Sequence, residues 1–159
     1  MKNITLTVNK AYVYDEVAKT TSYTGLKMMA VDNDAYNRIF TTDEDRLLLE
    51  RFWVETCNTT TSQFKPFIKS LNSQPISHGI DLSRNYTVEL ELSNSFDENL
   101  SEAMETSLFS FFVSSIVSKW FGFANKPEME SYTTEAVAIM NDLMQKIYYK
   151  KKPTRVIPK

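Results

Sequence analysis

The most apolar run of the chain, LFSFFVSSIVSKWFGFA from Leu108 to Ala124, constrains the fold more than any other segment. Four serines, Lys119 and Gly122 interrupt this run, and it is shorter than the roughly 20 residues that a membrane-spanning helix needs. It therefore predicts a core helix around which the rest of the chain packs, and no membrane contact is expected.

This run belongs to the third of four predicted helices. Ser95 or Asp97 can cap its start, and Gly122 and Pro127 mark its end. Its face positions step mostly by three or four residues: Leu100, Met104, Leu108, Phe111, Phe112, Ser115, Ile116, Lys119 and Trp120.

A fourth helix takes Pro127 in its first turn. Its apolar stripe consists of Tyr132, Ala136, Ile139, Leu143 and Ile147.

Two segments alternate apolar and polar residues, as half-buried strands do. Ile4, Leu6 and Val8 form the first, and YTVELEL at residues 86–92 forms the second and clearer one. We expect the two strands to pair with each other. Two strands do not make a core, so helices must cover them.

The first helix is predicted within Asp15–Met29, as a short element of weak propensity that ends near Gly25. Between the second helix and the second strand, Asn72–Asn85 reads as a polar connection that contains Pro75 and Gly79.

The stretch TTDEDRLLLERFW at residues 41–53 predicts the start of the second helix. Two capping boxes fit it: Thr41 with Glu44, and Thr42 with Asp45. Its three acidic residues could hold a divalent cation. No other ligand cluster lies nearby in the sequence, and acids in a first turn favour the helix dipole, so we interpret them as the helix start. The apolar positions are Leu47, Leu48, Phe52, Cys57, Phe64 and Phe67. Thr59–Thr61 should weaken the middle, and Pro66 should kink or end the helix.

The charge distribution separates the end of the chain from the rest. The whole chain carries a net charge of −2. The last ten residues contain no acid and five cations: Lys150, Lys151, Lys152, Arg155 and Lys159. The other 149 residues therefore carry a net charge of −7.

Because Pro153 and Pro158 disfavour helix, we predict a single domain over residues 1–149 and an extended basic tail over residues 150–159. The fold class is α+β and mainly α: three to four helices, a small antiparallel two-stranded sheet and this tail.

The residues that catalysis requires are scarce. His78 is the only histidine and Cys57 the only cysteine, and the three glycines are too far apart for a phosphate-binding loop. Glu89 and Glu91 would share one strand face, which we interpret as a solvated face opposite Val88. We therefore predict no catalytic residue, no metal site and no cofactor.

Aromatic residues exceed what one core needs, because the third helix is apolar on more than one face. This surplus predicts a protein partner. We assign partner binding to Trp120, Phe121 and Phe123 at the end of that helix, together with Lys150, Lys151, Lys152, Pro153, Arg155 and Lys159 of the tail.

The stretch FTTDEDRLLLERFWVETCNTTTSQFKPFI resembles the early helix of the head-tail connector proteins of tailed bacteriophages, also called head completion or adaptor proteins. In that family an acidic D-x-D start precedes two leucines and a long helix. SFDENLSEAMETSLFSFFVSSIVSKWF and EMESYTTEAVAIMNDLMQKIYYKKKPTR are similar to its later helices in order and length. VAKTTSYTGLK and KKPTR resemble segments of small virion proteins from phages of gut Bacteroidetes. The resemblance covers roughly residues 15–155.

The resemblance implies a structural virion protein of the neck, made in the host cytoplasm, and not an enzyme. About twelve copies would form a ring that binds the portal protein and neighbouring neck or tail proteins. The ring would extend the channel for packaged DNA, which the tail could contact transiently. The two predicted strands depart from the usual family pattern and could pair with neighbouring subunits.

Two other function classes fit parts of the sequence. A small phage-encoded regulator or inhibitor of a host protein would share the composition and the surplus aromatic surface. An enzyme that uses carboxylates and a metal fits least.

Overall fold

The structure, a computed structural model, describes residues 1–72, 85–153 and 155 of the chain. Its helices are α1 (Lys10–Met28), α2 (Ala35–Ile39), α3 (Arg46–Phe64), α4 (Ser101–Ala124) and α5 (Lys126–Tyr148). Its strands are β1 (Lys2–Val8), β2 (Ile68–Leu71) and β3 (Tyr86–Leu92). The predicted class, mainly α with a small antiparallel sheet, is confirmed.

The sheet has the order β1-β3-β2, and both pairings are antiparallel. The predicted pairing of the two alternating segments is correct, with Leu6 directly opposite Val88. The prediction of only two strands is wrong, because β2 adds a third. Its sequence, IKSL, does not alternate, and a bulge between Ile68 and Ser70 interrupts its register.

The first helix is longer than predicted. It begins after Asn9, whose side chain accepts a hydrogen bond from the Tyr12 N–H at 3.1 Å, and it passes through Gly25 to Met28. Gly25 does not end the helix. It allows α2 to approach closely, because a Cβ at this position would lie 2.9 Å from the Tyr36 Cα.

The second long helix, α3, begins and ends as predicted. The predicted capping box of Thr42 and Asp45 is present, and in it the Asp45 carboxylate accepts the Thr42 N–H at 2.8 Å. The α-helix ends at Phe64, just before Pro66. The threonines do not interrupt it. The Thr56 hydroxyl donates to the Phe52 carbonyl at 2.8 Å, so a polar group inside the helix is satisfied by its own backbone.

Helix α4 occupies the centre of the fold. It contacts β1, α1, α3 and α5, and Asn125 alone connects it to α5. Its buried apolar side chains are Met104, Leu108, Phe111, Phe112, Ile116, Val117, Trp120 and Phe121. The inner face of the sheet, with Leu6, Val88 and Leu90 fully buried, completes the same core. Leu47, predicted to face the core from α3, is instead 61% exposed.

Candidate interaction surfaces

The basic tail is attached to the domain at a defined point. Lys150 pairs with Phe96 in an isolated antiparallel bridge, and the Lys151 N–H donates to the Ser95 carbonyl at 2.7 Å. The Phe96 carbonyl also accepts the Lys2 ammonium at 2.9 Å. The tail therefore leaves the domain beside the start of β1 and does not fray directly from the end of α5.

Beyond this attachment the described residues of the tail are exposed. Lys152, Pro153 and Arg155 are all exposed, and so are the side chains of Lys150 and Lys151. Within the described residues, none of these cationic side chains has a hydrogen bond or an ion pair. Their charges are thus available to another molecule. Lys159, also assigned to this surface, lies outside the described residues.

Trp120 and Phe121 do not lie on a surface, which corrects their assignment to partner binding. Trp120 is 7% exposed, and its indole N–H donates to the Ile39 carbonyl at 2.6 Å. Phe121 is fully buried and packs edge-on against Tyr132, with ring centroids 5.3 Å apart. Both side chains hold α4 against other elements of the same subunit.

Phe123 is the aromatic residue of this group that remains accessible. Its side chain is 71% exposed, and its ring lies 6.0 Å from that of Phe52 on α3. A single exposed phenylalanine beside a buried one is a small apolar contact area. It adds to a docking surface but does not make one by itself.

Among the described residues, no strand pairs with the outer edge of β1, which we call the open edge. The Thr87 N–H donates to the Asn72 side chain at 2.9 Å, and the Thr87 carbonyl accepts the Asn72 N–H at 3.3 Å. Both backbone groups of Thr87 therefore point toward β2, and its pairing with Thr7 is a non-hydrogen-bonded one. It follows that the N–H and carbonyl groups of Asn3, Thr5 and Thr7 point away from the sheet.

The two edges of the sheet differ. β2 has four residues and a bulge, features that discourage pairing with another strand. β1 has seven residues in continuous register, with no proline or bulge. The Glu105 carboxylate accepts the Thr7 N–H at 3.1 Å, but the described residues offer no such partner to the N–H groups of Asn3 and Thr5. β1 is thus the edge that a further strand can join.

The acidic turn ahead of α3 and Glu89 on β3 have structural roles. The Asp43–Asp45 cluster forms a 3₁₀ turn ahead of α3, as the helix-start interpretation predicted. Glu89 faces the open side of the sheet, where it accepts the Ser70 hydroxyl at 3.0 Å and lies 3.7 Å from the Lys69 ammonium. In the described parts of the chain, no group of three His, Cys, Asp or Glu side chains is placed to hold a metal ion.

A buried polar group lies between α1 and α3. Lys10 forms an ion pair with Glu50, and the Tyr14 hydroxyl donates to the same carboxylate oxygen at 3.2 Å. Burial raises the pKa of the nearby Cys57 thiol, so the predicted inert cysteine stays protonated. This group fixes the two helices together. His78 lies outside the described residues.

One described segment, Glu98–Ala124, is long and apolar enough to cross a membrane by length and composition alone. Half of its most apolar window is buried within the subunit. That burial agrees with the core helix that the sequence predicted.

Comparisons with protein-family models, with curated proteins and with solved structures found no match to this chain. The resemblance to phage connectors therefore rests on the sequence patterns given above and stays a prediction.

Proposed function

We propose that this chain is a structural subunit of the neck of a tailed bacteriophage, where copies form a ring that bridges portal and tail and lines the DNA channel. The observation that carries the proposal is the anchored basic tail. It leaves the domain at Ser95 and Phe96 with exposed cations, while the other 149 residues carry −7. Such a tail suits a contact with another protein or with DNA phosphate.

A ring needs two different contact surfaces on each subunit, because its interface is head to tail. The tail is one surface. The open edge of β1 is a second one, and it lies on a different element of the subunit. Phe123 adds an exposed apolar contact. We propose that these surfaces serve assembly and that the subunit has no enzymatic activity.

Deletion of residues 150–159 tests the proposal. We expect the shortened chain to keep its far-UV circular dichroism spectrum, because every helix and strand of the described structure ends before residue 150. Its unfolding midpoint should fall only slightly, since the deletion removes just the backbone contacts of Lys150 and Lys151 with Phe96 and Ser95. It should fail to form rings when mixed with the portal protein, as seen by electron microscopy and by mass from light scattering.

A matched control separates charge from chain length. A variant with glutamine at positions 150, 151, 152 and 155 keeps the backbone and its bond to Ser95 but removes four charges. We expect this variant to lose assembly with the portal as well. Rings formed normally by both variants would overturn the role of the tail. A full-length chain that stays monomeric or dimeric even with the portal would favour the regulator or inhibitor.

A further inference from the structure

A row of carboxylates runs beside the open edge of β1. Glu98 lies 3.7 Å from the Lys2 ammonium at the start of the strand, and Glu105 accepts the Thr7 N–H near its end. Glu102 comes between them, at spacings of four and three residues that place all three on one side of the helical segment. The three side chains are exposed, and that of Glu102 has no hydrogen bond or ion pair within the described residues.

This edge combines two recognition features. The outward backbone groups of Asn3 and Thr5 can bond to another extended chain, as a strand that joins a sheet does. The carboxylates of Glu98, Glu102 and Glu105 favour a chain that carries positive charge. The matching partner is therefore an extended segment that is rich in Lys or Arg and poor in acids.

The chain itself contains such a segment. Its backbone bonds to its own domain extend to Lys151, and Lys152, Pro153 and Arg155 beyond that point are exposed. Proline holds its own φ near that of extended backbone and disfavours helix in the residue before it. No hydrogen bond or ion pair between these tail residues and β1 of the same subunit occurs in the described structure. The described residues Lys152, Pro153 and Arg155 are thus available to a second copy.

We propose that the basic tail of one copy adds as a strand to the free edge of β1 in the next copy, with its cations against Glu98, Glu102 and Glu105. The proposal rests on the ring function above and names the contact that joins neighbouring subunits. Donor and acceptor surfaces differ, so the contact is head to tail and can repeat around a ring.

The alternation of a strand fixes how the tail lies. Pro153 has no N–H to donate, so its backbone groups point away from β1. The backbone groups of the residues on either side of it then point toward β1. Asn3 and Thr5 point their backbone groups outward and their side chains to the solvent face of the sheet. In an antiparallel pairing, tail residues that bond to them share that face. The side chain of Arg155 is therefore on the opposite face, where Glu98 precedes α4 and Glu102 and Glu105 lie on its first turns.

The first test uses a labelled synthetic peptide of residues 150–159, KKKPTRVIPK, and the chain that lacks those residues. Thr5→Pro removes an outward N–H without breaking the bonds between β1 and β3, and Thr5→Ala is its matched control. We expect Thr5→Pro to weaken peptide binding by about tenfold or more and Thr5→Ala by less than about twofold, measured by fluorescence anisotropy. Equal binding by the two variants, each with an unchanged melting temperature, would overturn the proposal.

The second test does not depend on whether Thr5→Pro folds. Glu102→Lys should weaken binding of the peptide, and a peptide with Arg155→Glu should bind the Glu102→Lys chain better than the unchanged peptide does. Glu130→Lys makes the same charge change at an exposed position on α5 and is the control. If Glu130→Lys has the same effects as Glu102→Lys, attraction by overall charge explains the binding and the proposal fails.

The third test asks whether the contact joins two copies. A chain without residues 150–159 keeps the edge, and a full-length Thr5→Pro chain keeps the tail. We expect the mixture to give a 1:1 heterodimer by native mass spectrometry, while each chain alone stays monomeric. A mixture without heterodimer means that the tail does not bind the β1 edge of a second copy, and the proposal falls.

The two proposals can fail separately. Rings that form with the portal and are unaffected by Thr5→Pro would leave the neck function standing and remove the strand contact. Specific peptide binding by a chain that never forms rings would leave the strand contact standing and remove the neck function.

Discussion

Lys10 and Glu50 form an ion pair between the first turn of α1 and the first half of α3, although both side chains are almost completely buried. The Lys10 ammonium also lies 5.6 Å from the centre of the Tyr14 ring, and Tyr14 donates its hydroxyl to Glu50. The second carboxylate oxygen of Glu50 has no hydrogen-bond partner among the described residues. The pair fixes the two helices at a desolvation cost that its partners only partly offset.

Removal of one member of this pair should therefore be costly. We expect Glu50→Met to lower the free energy of unfolding by about 3–5 kcal/mol, because it removes the buried carboxylate that pairs with the Lys10 ammonium. The double variant Lys10→Met with Glu50→Met should lose less than the two single variants together. Urea denaturation of all four proteins measures the coupling, and strictly additive losses would show that the two charges do not interact.

The hydrogen bond from Trp120 to the Ile39 carbonyl gives a second prediction. Trp120→Phe keeps most of the apolar contact but leaves a buried carbonyl without its donor, so it should cost about 1–3 kcal/mol of unfolding free energy. Phe123→Ala, three residues further along the same helix, should cost less than about 1 kcal/mol because its side chain is mostly exposed. Thermal or chemical denaturation measures both losses. A larger loss for Phe123→Ala than for Trp120→Phe would contradict the buried position of Trp120.

The elements that the sequence predicted well are those with a local periodic signal. β1 and β3 alternate, and the stripe of α5 repeats every three or four residues, so both could be placed from spacing alone. β2 has no such signal, because only Ile68 is partly buried and the strand pairs through a bulge. A strand that forms because it pairs with a neighbouring strand, and that has no alternating pattern of its own, cannot be predicted from the sequence alone.

The candidate surfaces divide in the same way. The cationic tail could be found from composition, because a segment with basic residues and no acidic ones can be recognised without the tertiary structure. Trp120 and Phe121 could not be separated from Phe123, because the side of α4 that is covered depends on where α2 and α5 pack. The open edge of β1 also depended on tertiary structure, since the direction of its N–H groups follows from the bonds of Thr87 to Asn72.

The buried thiol of Cys57 predicts how stability depends on alkaline pH. Burial raises its pKa in the folded state above the ordinary value of 9.0, so above pH 9 the unfolded chain loses a proton that the native protein keeps. The free energy of unfolding should therefore fall as pH rises above 9, by at most about 1.4 kcal/mol per pH unit from this group. Cys57→Ala should remove that part of the slope.

Tyr86 provides the control for this pH profile. Burial raises its pKa from 10.0 to about 12, against the opposing effect of its hydrogen bond with Thr61. Its stabilising contribution is present below pH 10 and is lost as pH rises toward 12, so Tyr86→Phe should change the profile only above pH 10. Urea midpoints measured from pH 8 to 10.5 distinguish the two groups. A Cys57→Ala protein with an unchanged slope between pH 9 and 10 would contradict the assignment.

The two described glycines, Gly25 and Gly122, should respond oppositely to the same substitution. Alanine normally stabilises a helix by up to about 1 kcal/mol relative to glycine. At position 25 its Cβ would lie 2.9 Å from the Tyr36 backbone, so α2 must move, and we expect a net loss of about 1–3 kcal/mol.

At position 122 the nearest atom to an added Cβ is the Met129 sulfur, at 3.3 Å on a flexible side chain that can move. Gly122→Ala should therefore be neutral or stabilising. Thermal unfolding of Gly25→Ala and Gly122→Ala tests both predictions, with the same heat-capacity change of unfolding used in both fits. A stabilising Gly25→Ala would mean that α1 and α2 do not pack as closely as the structure has them, because only separation of the two helices leaves room for the methyl group.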